Sequence, residues 1–114
     1  MTGAAVVVRR GDIVTVAASG YASKPRPALI VQAEPFTETH ASMTVCLLSS
    51  TLEDAPLFRI SETPSPHNGL REPSQIMVDK LVSVPRRTLG ERLGRLDPTT
   101  LGAVDEALRL WLGG

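Results

Sequence analysis

Aromatic residues are nearly missing from this 114-residue chain, which has one Trp, one Tyr and two Phe. Its core must therefore be built from Val, Leu, Ile and Ala. Cysteine is just as scarce: Cys46 alone excludes an intrachain disulfide, and its setting in Val45-Cys46-Leu47-Leu48 predicts a buried thiol rather than a reactive nucleophile. Net charge is absent too, since twelve basic residues balance twelve acidic ones, and this argues against a nonspecific polyanion binder held by bulk charge. No long apolar run occurs. Ala4 to Val8 is short, and its arginines follow the run instead of preceding it, so neither a secretory signal nor a membrane span is expected and the cytoplasm is the expected location. A glycine-rich phosphate loop, a nucleophile elbow and an acidic metal cluster are all missing, which removes most support for nucleotide or metal-dependent hydrolysis. His40 and His67 stand isolated and read as solvated loop residues, not zinc ligands.

What is present has the size of one domain spanning residues 1–114. Its charge is unevenly spread. Arg9, Arg10, Lys24 and Arg26 face only Asp12 in the first 26 residues, acidic residues prevail over 27–62, and basic excess returns with Arg71, Lys80, Arg86, Arg87, Arg92 and Arg95. If the two basic segments meet in space, a local anion site survives zero net charge. The stretch Lys24-Pro-Arg-Pro-Ala-Leu-Ile-Val-Gln32 organises the chain: two prolines hold Arg26 where a loop becomes a strand, and Ala28 to Val31 form an apolar run suited to burial on both faces. A guanidinium at the mouth of such a strand stays protonated and presents a fork of donors matching a phosphate.

Taken in order, Ile13 to Ala17 reads as a strand and 19–24 as a glycine-containing loop beside the candidate site, expected to reorder on ligand binding. Glu34 to Ser42 reads as a polar connection, Met43 to Leu48 as a strand, and Ser49-Ser50-Thr51 as hydroxyls suited either to a turn or to a site beside Arg26. Leu57 to Ile60 is a short strand, and Thr63 to Gly69 an exposed loop. Gln75 to Val84 is strand-like with Asp79 and Lys80 in its middle. That charged pair fits either a protected edge strand or an Asp79 directed into the site. A helical turn over 86–91 and a closing strand over 92–96 precede the clearest element. There Asp97 is an N-cap, Pro98 the first helical residue, and Leu101, Val104, Leu108, Trp111 and Leu112 an apolar stripe, with Asp105 and Arg109 paired at i,i+4 and Gly113 a stop. Core packing is expected for Trp111, with a binding knob as the alternative. The order of elements gives an α+β domain with a small, strongly bent antiparallel sheet.

Arg10-Gly11-Asp12-Ile13-Val14, Lys24 to Val31, Val45 to Thr51, Pro73 to Lys80 and Leu93 to Asp97 together resemble the PemK/MazF toxins of bacterial toxin-antitoxin systems. The resemblance implies an SH3-like barrel with a C-terminal helix and a homodimer. It also implies metal-independent endoribonuclease action on single-stranded RNA, without a cofactor, and neutralisation by a cognate antitoxin. Arg26 matches the family's catalytic arginine, Ser49 a hydroxyl position that is usually threonine, and Asp79 an acidic position. A glutamate found upstream of the arginine in some relatives has Tyr21 nearby instead, which leaves the general base unassigned.

The chemistry requires activation of a 2′-hydroxyl, stabilisation of a dianionic phosphorane and protonation of the 5′ oxygen. On this reading Arg26 holds the phosphate, Ser49 or Thr51 orients the 2′-hydroxyl and Asp79 is a base or orienting partner, with Lys24, Ser50, Thr51 and Lys80 along the RNA. The alternatives are a gyrase-inhibiting toxin of the CcdB type, suggested by the terminal Trp111, and an inactive barrel that only binds.

Overall fold

The computed structural model describes residues 7–17 and 24–114; of the predicted 19–24 loop only Lys24 is included, and Tyr21 lies outside. Six strands form one antiparallel sheet: β1 (Asp12–Val16), β2 (Arg26–Ile30), β3 (Ser42–Ser49), β4 (Arg59–Glu62), β5 (Ser74–Pro85) and β6 (Leu89–Arg95). The spatial order is β4-β5-β3-β2-β1-β6, so among the described residues no pairing joins the two edges and the barrel is not closed by strands. A 3-10 turn at Arg86–Thr88 links β5 to β6, close to the predicted helical turn.

The apolar run of β2 divides between two cores because side chains alternate along a strand. Leu29 joins Ile13, Cys46, Leu48, Ile76 and Val78 on one face. Ala28 and Ile30 join Val14, Val16, Met43 and Val45 on the other. All three β2 residues are fully buried, as expected for a central strand of a sheet that curls around its own inner face.

Two helices complete the chain. The first, α1 (Glu34–Thr37), replaces the predicted polar connection. Pro35 is tolerated there because it occupies the first turn, and the Thr37 hydroxyl donates to the Glu34 carbonyl at 2.9 Å. The second, α2 (Pro98–Trp111), begins as predicted, with the Asp97 side chain accepting from the Thr100 N–H. Val104, Ala107 and Leu108 seal the Leu29 core. The stripe is not buried to its end, because Trp111 stays 51% exposed, with its ring 6.0 Å from that of Phe58. The predicted Asp105–Arg109 pair is absent. Asp105 instead takes Arg10, which also donates to the Val31 carbonyl at 3.0 Å, and Arg109 takes Glu106. Tertiary geometry overrides helical spacing here, since Arg10 reaches α2 from the start of β1.

The gap between the sheet edges is bridged by the 63–69 segment. Predicted as an exposed loop, it is anchored by Asn68, which is 1% exposed and donates to the Glu62 carboxylate and the Thr63 carbonyl. The Arg95 N–H donates to the His67 carbonyl at 2.9 Å. This close approach requires Gly69, at φ +70°, whose added Cβ would lie 2.1 Å from the Leu93 oxygen, and Gly94, where it would lie 2.4 Å from the His67 oxygen.

Gly11-Asp12 is a structural device. Asp12, 1% exposed, accepts from the Arg9 N–H at 2.9 Å and pairs with Arg92 and Arg95, tying the start of β1 to β6. Burial acts to raise its pKa, but the Arg92 and Arg9 hydrogen bonds and the Arg95 guanidinium prevail and hold it below the ordinary value. Cys46 is fully buried as predicted; desolvation pushes its thiol up to about 12.

Candidate functional site

Arg26 opens β2 and pairs with Val16 of β1, with Pro27 opposite Thr15. The β2–β3 ladder starts only at Ala28↔Leu47, so Pro27 lies past its end and its missing N–H is not needed on that side. The paired register Ile30↔Val45, Leu29↔Cys46, Ala28↔Leu47 stops two residues short of Arg26 and Ser49, which lie at the end of these two neighbouring strands where they no longer pair with each other.

A cleft of about 650 Å³ occupies that end. Lys24, Arg26 and the two flanking prolines form one side, and Ser50 enters from the end of β3. The loop before β5 adds Arg71 and Glu72, and β6 adds Glu91 and Leu93. The two basic segments of the sequence therefore meet here. Three cations share this cleft with two carboxylates, and the side chains of Lys24, Arg26 and Arg71 make no ion pair or hydrogen bond with the described residues. A second depression, of about 480 Å³ beside the end of α2, differs in that its Arg10 and Arg109 are already paired with Asp105 and Glu106.

The other sequence-nominated residues lie outside the cleft lining. The Ser49 hydroxyl accepts the Thr51 N–H at 3.0 Å, closing the turn that ends β3. Thr51 is exposed, and its carbonyl accepts from Arg59 at 3.2 Å. Arg59 also pairs with Glu53 and so fixes the hydroxyl-bearing turn to β4, a positioning role not foreseen in the sequence. Asp79 and Lys80 sit where β5 runs from Leu81 to Ile76 while β3 advances only from Cys46 to Leu48. β4 pairs with β5 only from Ser74 to Met77, so the charged pair falls where β5 becomes an outer strand. Asp79 Oδ1 is buried without a hydrogen bond. Arg71, Glu72 and Glu91 were visible in the sequence only as entries of a charge balance, because nothing local marks a loop or strand residue as facing Arg26. Among the described residues, no group of three or more His, Cys, Asp or Glu side chains is placed to hold a metal ion.

Fold and cleft together define a class: a small curled antiparallel sheet, capped by one C-terminal helix, that presents unpaired cations beside hydroxyls at its open end. Comparison with known proteins narrows this class. Residues 9–112 match the family described as "PemK-like, MazF-like toxin of type II toxin-antitoxin system". The chain is 48% identical over 107 residues to the probable endoribonuclease MazF of Mycolicibacterium smegmatis, spanning 93% of this chain and 97% of that protein. Among solved structures, an endoribonuclease in complex with its cognate antitoxin from a mycobacterial species superposes with a TM-score of 0.80 at 24% identity, covering 94% of this chain and 96% of that one. Toxin MazF-mt6 of Mycobacterium tuberculosis gives 0.77 at 24% identity, covering 90% and 96%. The chain belongs to the PemK-like, MazF-like toxin family.

Proposed function

We propose that this protein is the RNA-cleaving toxin of a toxin-antitoxin pair. It cuts single-stranded RNA at short motifs by attack of the 2′-hydroxyl on the adjacent phosphorus. The observation that carries the reading is Arg26, an unpaired guanidinium held between two prolines at the mouth of the cleft. Arg26 binds the scissile phosphate and stabilises the charge that grows on its oxygens. Lys24 and Arg71 attract the flanking phosphates, and Ser50 donates from the end of β3. Ser49, at the end of β3 next to Ser50, is the hydroxyl that turns toward RNA if its bond to the Thr51 N–H exchanges for one to substrate. Thr51, Asp79 and Lys80 would extend the contact beyond the cleft.

The proposed partners are single-stranded RNA, a cognate antitoxin that covers this cleft, and a second copy of the chain. Exposed Leu110, Trp111 and Leu112 at the end of α2 support a dimer surface. No described helix is long and apolar enough to cross a membrane, and action on RNA is consistent with a cytoplasmic place of work.

The test is incubation of the purified protein with a long RNA in EDTA, followed by mapping of new 5′ ends. Recurrent cleavage within one short motif is expected. An RNA left intact under these conditions refutes the reading.

A further inference from the structure

Attack by a 2′-hydroxyl needs a group to take its proton, and the cleft brings two carboxylates to the task, Glu72 and Glu91. Asp79 does not line it. We propose that Glu91 is the base that removes the 2′-hydroxyl proton. This rests on the RNA-cleaving reading above and extends it to a residue that neither motif nor spacing marks.

Glu91 is mounted on an irregularity of the β1–β6 ladder. β1 pairs Val14 with Arg92 and Val16 with Leu89, so β6 carries one residue more than β1 across this step. The irregularity is built around a side chain: the Thr15 hydroxyl accepts the Glu91 N–H at 2.9 Å. Gly90 makes room for it, since a Cβ there would lie 2.4 Å from Thr15 Oγ1. A bulge re-aims the residue it carries, and here a hydrogen bond fixes the backbone from which the Glu91 side chain springs, on a strand rather than a loop. Glu72 instead belongs to the loop before β5.

Distance and charge agree with this assignment. β6 and β2 are separated only by β1, so their backbones lie roughly 10 Å apart at about 4.8 Å per strand; Val16 sets Leu89 level with Arg26, and Glu91 lies two residues farther along β6. That span accommodates a carboxylate, a ribose 2′-oxygen with its phosphate, and a guanidinium in sequence. Glu91 makes no ion pair with Arg26 or any other described residue, so its oxygens are open to substrate. The charged groups around it are Lys24, Arg26, Arg71 and Glu72, while neighbouring Arg92 is engaged by Asp12.

In the step, the 2′-hydroxyl proton passes to Glu91 as the 2′-oxygen bonds to phosphorus. The P–O5′ bond breaks with its electron pair kept by the 5′ oxygen, which takes a proton from water. The products are a 2′,3′-cyclic phosphate and a 5′-hydroxyl, and Glu91 returns its proton to solvent.

The experiment measures single-turnover cleavage of one mapped RNA from pH 4 to 9 by wild type, Glu91→Gln, Glu91→Asp and Glu72→Gln, with thermal unfolding of each. Glu91→Gln is expected to lose on the order of 10²- to 10⁴-fold in rate and the fall in rate at low pH, with KM little changed. Glu91→Asp should keep that fall, which decides the matter if Glu91→Gln does not fold. Glu72→Gln should keep the fall in rate at low pH. A Glu91→Gln enzyme that retains rate and low-pH fall, or transfer of those losses to Glu72→Gln, overturns the assignment. Absence of cleavage by wild type overturns the RNA reading and the assignment with it.

Discussion

Gly69→Ala puts the bridge between the sheet edges under test. The substitution places a Cβ 2.1 Å from the Leu93 oxygen at a residue whose φ is +70°. The left-handed conformation costs an L-residue about 1–2 kcal/mol. Relief of the overlap requires the 63–69 segment to lift from β6, which breaks the Arg95 N–H to His67 carbonyl bond, worth about 0.5–1.5 kcal/mol. The sum, about 1.5–3.5 kcal/mol, corresponds to a fall in Tm of roughly 10 °C for a domain of this size. Because Gly69 and Arg71 line the cleft, cleavage should fall at temperatures where the variant is still folded. The matched control is Gly102→Ala in α2, which meets nothing within 4 Å and should raise stability by up to about 1 kcal/mol. Thermal unfolding by circular dichroism reads both. Equal Tm values for Gly69→Ala and wild type would refute the claim that this segment closes the fold by contact with β6.

Other consequences follow from the same geometry. Asp12 has a lowered folded pKa, so its contribution is complete above the unfolded value of about 3.8 and lost as pH falls through the folded one. Asp12→Asn should cost about 1.5–3 kcal/mol in urea unfolding at pH 7, a difference that narrows in acid; a constant difference down to pH 2 would contradict the ion-pair account. Cys46, raised from 9.0 to about 12, favours the folded state below pH 9 and loses that contribution as pH climbs toward 12. Its thiol should resist alkylation at pH 8 until urea unfolds the chain, and prompt labelling of folded protein would place it elsewhere. Trp111→Ala, at a half-exposed position, should weaken self-association in sedimentation with little loss of monomer stability. Dimerisation unchanged by that substitution would move the dimer surface away from α2.

The sequence was legible where local chemistry decides the outcome. β-branched runs located the strands, Asp97 and Pro98 the start of α2, and the paired prolines the place of Arg26 at the head of β2. It was silent where distant segments decide. Arg10 takes Asp105 from Arg109 because the start of β1 lies against α2. Asn68 is buried because β6 passes beside its loop, and Trp111 remains half exposed because the core that α2 seals ends at Leu108. The cleft was readable in half: Lys24, Arg26 and Ser50 stand in recognisable motifs, whereas Arg71, Glu72 and Glu91 join them only through sheet order and a bulge. Even so, the separation of basic segments at either end of an acidic one anticipated that cations would gather.

The most direct measurement of the central claim is the rate of cleavage of one mapped RNA by Arg26→Ala, taken alongside its thermal unfolding. Arg26 is exposed and unpaired, so the variant should unfold within a degree or two of wild type while losing on the order of 10²- to 10³-fold or more in rate. Wild-type cleavage by a folded Arg26→Ala protein would contradict the account.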